Sequence, residues 1–318
     1  MPTSENTTHR PLIVIVGPTA GGKTSLSVQL ALALGDAVCL SADSMQIYEG
    51  MDIGTATPTL DERCGVEHRM LSMVSPSTPY SVDDWLHAAE SAIADIRTRG
   101  QWPIVVGGTN LYVQALLFGL VDGPPPQLEL RAQLAEWAST DLHKRLATVD
   151  QEAAARIHPN DRRRTIRAIE VAQATGTPLT DQQGHWSGTC RPDAVVIGLS
   201  WPTEEINQRI NARVKLMMDD GLLDEVRALH EAGLLGEQAA AAVGYRQLIE
   251  HLEGQCDLDA AIEQIKIRSR RLGKQQRTWL RRFQALPQIS WLDPAQNNTE
   301  ILVEQSVTHI QACGFSLD

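Results

Sequence analysis

The sequence predicts an α/β protein: a parallel sheet covered by helices on both faces, carrying a mostly helical insertion. Three observations lead there. Short apolar runs at Pro11 to Val16, Asp36 to Ala42, Trp102 to Val106 and Asp193 to Ser200 alternate with helical patterns, the rhythm of parallel strands joined by helical crossovers. A glycine-rich loop joins the first run to the first helical pattern. Asp122 to Gln127 (DGPPPQ) then bars any regular element, and Leu128 to Gln173 beyond it is rich in Ala, Leu, Glu and Arg with no strand-like run.

Each element follows in order. Pro11 to Val16 reads as the first strand and Ser25 to Leu34 as an amphipathic helix, from its Leu and Val spacing. Asp36 to Ala42, short, apolar and bounded by Gly35 and Asp43, reads as a second buried strand. Tyr80 to Arg99 predicts a helix with Ser81 and Asp83 as candidate caps and Gly100 as its stop, and Trp102 to Val106 a third strand ended by Gly107 and Gly108. Asp193 to Ser200 returns to strand, so residues 1–123 and 191–318 are expected to form the α/β core and residues 124–190 the insertion. Thr203 to Gly233 is helical with a break at Gly221, Ile262 to Phe283 is a further long helix, and Gln288 to Leu292 a short last strand.

Composition narrows the class. Apolar residues at 42% and charged residues at 21% suit a folded domain and exclude a disordered or collagenous chain. No apolar run approaches the roughly 18 residues of a membrane helix, and Met1 to Arg10 lacks the features of a secretory signal, so a cytoplasmic protein is expected, with a monomer as the default. Five scattered cysteines at no metal or disulfide spacing read as reduced thiols. Charge is uneven: 39 acids oppose 28 bases, yet Lys266 to Arg282 holds eight bases and no acid, and Arg162, Arg163, Arg164 and Arg167 form a shorter block beside Asp161. An acidic chain with two concentrated basic blocks repels polyanions in general and accepts one in a chosen place; solvated helix faces are the plainer reading.

Gly17-Pro18-Thr19-Ala20-Gly21-Gly22-Lys23-Thr24 fits G-x-x-x-x-G-K-[ST] between a strand and a helix, the context a P-loop requires, and makes the expected sheet P-loop NTPase-like. Glycines let backbone N–H groups turn inward around an anion, the helix N-terminus adds partial positive charge, Lys23 adds a full one, and Thr24 is the candidate Mg²⁺ ligand. The motif establishes a di- or triphosphate site without specifying a nucleotide. The strand after Trp102 ends in Gly107-Gly108-Thr109-Asn110 and offers no second acid for a metal. Asp43 is left with two functional readings, metal ligand in an ATP-using kinase or general base beside a pyrophosphate, and a plain one as a turn cap. Ser44, Met45 and Gln46 add groups able to read a base edge.

These residues, with SADSMQIYEGMDIGTA (Ser41 to Ala56), GGTNLYVQALLFGL (Gly107 to Leu120), IHPNDRRRTIRAIEVAQATG (Ile157 to Gly176), VGYRQL (Val243 to Leu248) and KQQRTWLR (Lys274 to Arg281), resemble the tRNA dimethylallyltransferases over nearly the whole chain. The resemblance implies that the loop Gly17 to Thr24 holds the diphosphate of dimethylallyl diphosphate, with Mg²⁺ as cofactor, and that the prenyl group goes to N6 of the adenine 3′ of the anticodon. It implies Asp43 as general base, Thr19, Lys23 and Arg213 at the diphosphate, with Arg209 a rival to Arg213. It also implies tRNA anticodon stem-loop contacts at Asp43, Ser44, Met45, Gln46, Thr109, Arg131, Arg163, Arg164, Thr165, Ile166 and Arg167. Further contacts are implied at Ala241, Ala242, Val243, Gly244, Tyr245 and Arg246, and at Lys274, Gln275, Gln276, Arg277, Thr278, Trp279, Leu280 and Arg281. The chain departs from the pattern at Gly21, where serine is common, at Arg163, where glutamine is frequent, and at Gly273, where alanine is.

Trp201, Trp279 and Trp291 read as packing residues, Trp279 being the best stacking candidate. His68, His158 and His185 read as surface or capping residues. Two other functions share the motifs: a small-molecule kinase using ATP, and a non-catalytic RNA-binding module with a relic loop.

Overall fold

The computed structural model describes residues 10–120, 123–183 and 190–317; Met1 to His9, Asp122 and His185 lie outside the described residues. The chain divides into two compact units, Met1–Leu117 with Cys190–Asp318, and Phe118–Thr189.

The first unit is built on a six-stranded sheet of β1 (Leu12–Val16), β2 (Ala37–Ser41), β3 (Glu67–Arg69), β4 (Trp102–Gly107), β5 (Ala194–Leu199) and β6 (Ile289–Leu292), in the order β3-β2-β4-β1-β5-β6. Every pairing is parallel. Four strands are the apolar runs of the sequence, and the short last strand is also present. β3 is not an apolar run: Glu67-His68-Arg69 joins the sheet at its edge, where only one side pairs and no continuous apolar sequence is needed.

Helices cover the sheet. In the first unit these are α1 (Lys23–Leu34), α2 (Asp52–Thr55), α3 (Leu60–Arg63), α4 (Val82–Thr98) and α5 (Asn110–Phe118). Ser81, rather than Asp83, caps α4, and Asp84 completes a capping box. The second unit holds α6 (Leu128–Ala135), α7 (Ser139–Val149), α8 (Gln151–Arg156), α9 (Arg162–Thr175) and α10 (Leu179–Gln183). The chain then returns through β5 to α11 (Thr203–Asp219), α12 (Leu222–Glu231), α13 (Glu237–Ala240), α14 (Tyr245–Leu252), α15 (Leu258–Leu280), a 3-10 turn at Arg281–Phe283, and α16 (Thr299–Ala312). Gly221, in the left-handed region at φ 99°, separates α11 from α12. No helix of the described residues is long and apolar enough to cross a membrane, and all five cysteines are unpaired.

Alternation along the strands makes two cores. Ile13, Ile15, Cys39, Ile104, Val195 and Ile197 pack with Leu26 and Leu30 of α1 and Leu302 and Ile310 of α16. The intervening residues, such as Val14, Leu40 and Val105, are equally buried and face the opposite side. There Trp85 of α4 stacks on Tyr112 of α5 with ring centroids 4.6 Å apart, and its indole N–H donates to the Ser41 carbonyl. The second unit has its own core of Leu134, Leu142, Leu146, Ala153, Ala168 and Ile169. Because β2, β4 and β1 are neighbours and parallel, the loops after them meet at one edge of the sheet, the place where open parallel sheets hold ligands.

Candidate active site

The glycine-rich loop leaves β1 and enters α1 at Lys23 through Gly22, which is left-handed at φ 85°. Its shape is held by bonds from distant parts of the chain. The Thr19 N–H donates to Gln276 Oε1 (2.8 Å), and Gln276 Nε2 donates to the Gly108 carbonyl (3.0 Å), so one buried amide of α15 ties the loop after β1 to the loop after β4. Arg213 donates to Thr19 Oγ1 (3.0 Å). Arg209 is turned elsewhere: its guanidinium lies 4.6 Å from the Trp201 ring centroid and donates to the Ala20 carbonyl, while the Trp201 indole donates to the Gly21 carbonyl. Of the two rival arginines, Arg213 lines the pocket.

Asp43 follows β2. One carboxylate oxygen accepts the Met45 N–H (2.9 Å), a local turn that fixes its direction. The Ser44 N–H donates to Thr109 Oγ1 (2.9 Å), and the Thr109 N–H to the Ala42 carbonyl (3.1 Å), which locks the loops after β2 and β4 together. Glycine is obligatory at 107 in this arrangement, since a Cβ there would sit 2.1 Å from the Ala42 carbonyl oxygen. Thr19, Lys23, Thr24, Asp43, Gln46 and Arg213 thus line a single pocket.

Two cations and one carboxylate share it. Lys23 donates to the Gly17 and Pro18 carbonyls (3.1 and 2.9 Å). Burial and the neighbouring Arg213 charge bring the ammonium down to about 8, against a smaller upward pull from Asp43. Burial also lowers Arg213, with Asp43 opposing. Like charges held together out of water, with one carboxylate to offset them, are under-neutralised and demand an anion. The Thr24 hydroxyl supplies an oxygen donor to the pocket, and no group of three His, Cys, Asp or Glu side chains able to hold a metal occurs among the described residues. So few protein oxygens suit Mg²⁺, which keeps several waters and takes the rest of its shell from phosphates.

Residues 46–283 match the family model described as IPP transferase, and residues 11–73 the one described as Isopentenyl transferase. The chain belongs to the IPP transferase family. A tRNA dimethylallyltransferase of Shouchella clausii is 44% identical over 281 residues, covering 86% of this chain and 89% of that one. The crystal structure of a tRNA delta(2)-isopentenylpyrophosphate transferase from Staphylococcus epidermidis has a TM-score of 0.70 at 36% identity, over 95% of this chain and 98% of that chain. A eukaryotic dimethylallyltransferase solved in crystallographic snapshots acting on tRNA has a TM-score of 0.82 at 28% identity, over 95% and 80%.

In this IPP transferase the positions linked by resemblance to tRNA divide by exposure. Lys274, Gln275 and Thr278 lie on the exposed face of α15 with Arg271, and Arg281 and Arg282 are exposed in the 3-10 turn that follows it, while Gly273, Gln276 and Leu280 lie on the helix's buried face. Gln276 and Leu280 are buried, and Gln276 lines the pocket. Trp279 is half-buried, edge-on to Phe283 at 5.1 Å, and Arg277 donates to Thr203. Tyr245 and Ala242 are buried with Gly244, whereas Ala241 and Arg246 are exposed. On α9, Arg163 and Arg164 are exposed, but Thr165 is fully buried and donates to the Asp161 carbonyl, and Ile166 packs on the second unit's core. Arg131 and Arg167 direct their guanidiniums to the buried carboxylate of Glu170. Contiguous motif blocks include both faces of a helix, and only one face reaches solvent.

Sequence reasoning missed two residues near the pocket. His68, read as a surface or capping residue, lines it: Nδ1 donates to the Val66 carbonyl, Nε2 has no partner among the described residues, and burial lowers its basicity. Glu225 was not singled out, yet its carboxylate accepts the backbone N–H groups of Asp52, Ile53 and Gly54.

Proposed function

We propose that this IPP transferase moves the dimethylallyl group of dimethylallyl diphosphate to N6 of the adenine 3′-adjacent to the anticodon, in tRNAs reading codons that begin with U, and releases diphosphate. The observation that carries the proposal is the sharing of one pocket by Lys23, Arg213 and Asp43: an anion-demanding end and a carboxylate beside it.

The adenine amine is a poor nucleophile because its lone pair is delocalised into the ring. As N6 bonds to C1 of the prenyl group, the C1–O bond to diphosphate breaks and one N6 proton passes to the Asp43 carboxylate, which leaves a neutral secondary amine. Negative charge grows on the leaving oxygen. Lys23, Arg213, the Thr19 hydroxyl and the inward amides of the loop favour that charge more than the ground state, which is where rate is gained. Mg²⁺ held by Thr24 would supply further charge neutralisation to the diphosphate. The adenine has to leave its stack, at a cost of a few kcal/mol, and the exposed bases of α15 and of α9 offset it through the stem phosphates. We take the enzyme as a monomer. A kinase reading has less support, since β4 ends in Gly107 and is followed by Gly108, not by an acid.

Diphosphate release tests the proposal. It should require both dimethylallyl diphosphate and an anticodon stem-loop. Asp43→Asn should lower turnover by about 10² to 10⁴-fold with stem-loop binding retained. Equal losses of binding and turnover would make Asp43 a binding residue instead of a base.

A further inference from the structure

We propose that Glu225, acting with Tyr245, is a positioning residue that fixes which end of the Gln46 amide faces the pocket, so that the enzyme selects a purine bearing an exocyclic amine over one bearing an exocyclic oxygen. The inference rests on the reaction proposed above. Glu225, on α12, collects four donors. One carboxylate oxygen accepts the N–H groups of Asp52 (2.9 Å) and Ile53 (2.7 Å), the other those of Gly54 N–H (3.0 Å) and the Tyr245 hydroxyl (2.5 Å). Burial and the Glu225 charge push the Tyr245 hydroxyl well above the ordinary tyrosine range, so it stays a donor. The Tyr245 ring occupies the space over Gly54, where a Cβ would come within 2.4 Å of it. The single turn of α2 is pinned at its start by charge-assisted bonds and by close ring contact.

The other end of that turn holds Gln46. Its Nε2 donates to the carbonyls of Thr55 (3.2 Å) and Ala56 (3.1 Å), and its Oε1 accepts the Ser41 hydroxyl (2.7 Å). Two carbonyls on one side admit only the NH₂ end of the amide, which settles its orientation. Both amide hydrogens are then used, and the capacity left to Gln46, a pocket-lining residue, is the second lone pair of Oε1. An acceptor there suits the second N–H of an adenine amine whose first N–H meets Asp43, and repels the O6 of a hypoxanthine or guanine. Without Glu225 the two carbonyls are no longer held, the amide is free to turn, and its NH₂ end accepts an oxygen-bearing purine.

The test is binding of stem-loops carrying adenosine or inosine at the target position, with Glu225→Gln and Tyr245→Phe beside the wild type. The wild type should prefer adenosine by about tenfold or more. Glu225→Gln should reduce the preference to about twofold or less, with the Kd for dimethylallyl diphosphate unchanged within about twofold, since the diphosphate cradle is untouched. Tyr245→Phe removes one donor of four, should fall between, and decides the matter if Glu225→Gln does not fold. A folded Glu225→Gln that keeps the wild-type preference, or a wild type that binds both loops equally, overturns the inference. Failure of wild-type diphosphate release on the adenosine loop is read separately and counts against the reaction.

Discussion

Lys23 pays for its place in the loop with a weakened charge. Its ammonium, brought to about 8 in the folded protein from 10.5, binds fewer protons there than in the unfolded chain at pH values between the two. The fold therefore gains stability as pH rises through that window, and below it the buried charge is a standing cost. A bound diphosphate reverses the balance by favouring the protonated form. The affinity for dimethylallyl diphosphate should be flat up to a pH of about 8 and then fall, by up to about tenfold per unit, as the free enzyme loses the Lys23 proton. Calorimetric titration across that range at constant ionic strength reads it directly, and Lys23→Arg, whose charge does not titrate, should abolish the step. An affinity that stays flat in the wild type would remove Lys23 from the diphosphate.

At the scale of elements, the second unit turns on Glu170 of α9. Its buried carboxylate takes two bonds from Arg131 of α6 (both 2.8 Å), one from Arg167 (2.5 Å) and the Gln127 N–H (2.6 Å). Burial raises this carboxyl, but the two guanidiniums and the amide outweigh it and hold it below the ordinary range. Its contribution is complete above the unfolded carboxyl's value and is lost as pH falls through the folded one. Glu170→Ala should destabilise the unit by about 3 kcal/mol, the lower end for a broken buried pair because both arginines keep part of their surface in water; hydrogen exchange confined to Phe118–Thr189 measures it. No change in protection there would reduce the cluster to decoration. The same cluster marks where sequence reading ends. The apolar runs of β1, β2, β4 and β5 and the motif Gly17 to Thr24 announced the sheet and the cradle because strand burial and phosphate binding leave local patterns. The Glu225 bonds to α2 span 171 to 173 residues, and Gln276 reaches Thr19 across 257. Such partners leave no spacing to read, and His68 sits in an edge strand with no apolar signature.

The whole molecule carries a formal charge of −11 and yet presents exposed clusters of cations, which on the proposed function meet the RNA. Exposed Arg271 and Lys274 on α15, Arg281 and Arg282 in the turn after it, and Arg163 and Arg164 on α9, are enough for a logarithmic salt slope of stem-loop binding of about −4. Affinity should drop by about 10² to 10³-fold between roughly 50 and 200 mM salt, and a flat response would detach these bases from RNA. The acidic remainder keeps other polyanions away, and on the proposed function the sheet edge receives a diphosphate from one substrate and a single base from the other. The most direct measurement of that union is incubation with labelled dimethylallyl diphosphate and bulk tRNA, followed by digestion to nucleosides. Label recovered in an N6-prenylated adenosine, matched by released diphosphate, is the expected result. Unlabelled nucleosides, with nucleoside triphosphate consumed on a small-molecule acceptor, would contradict it.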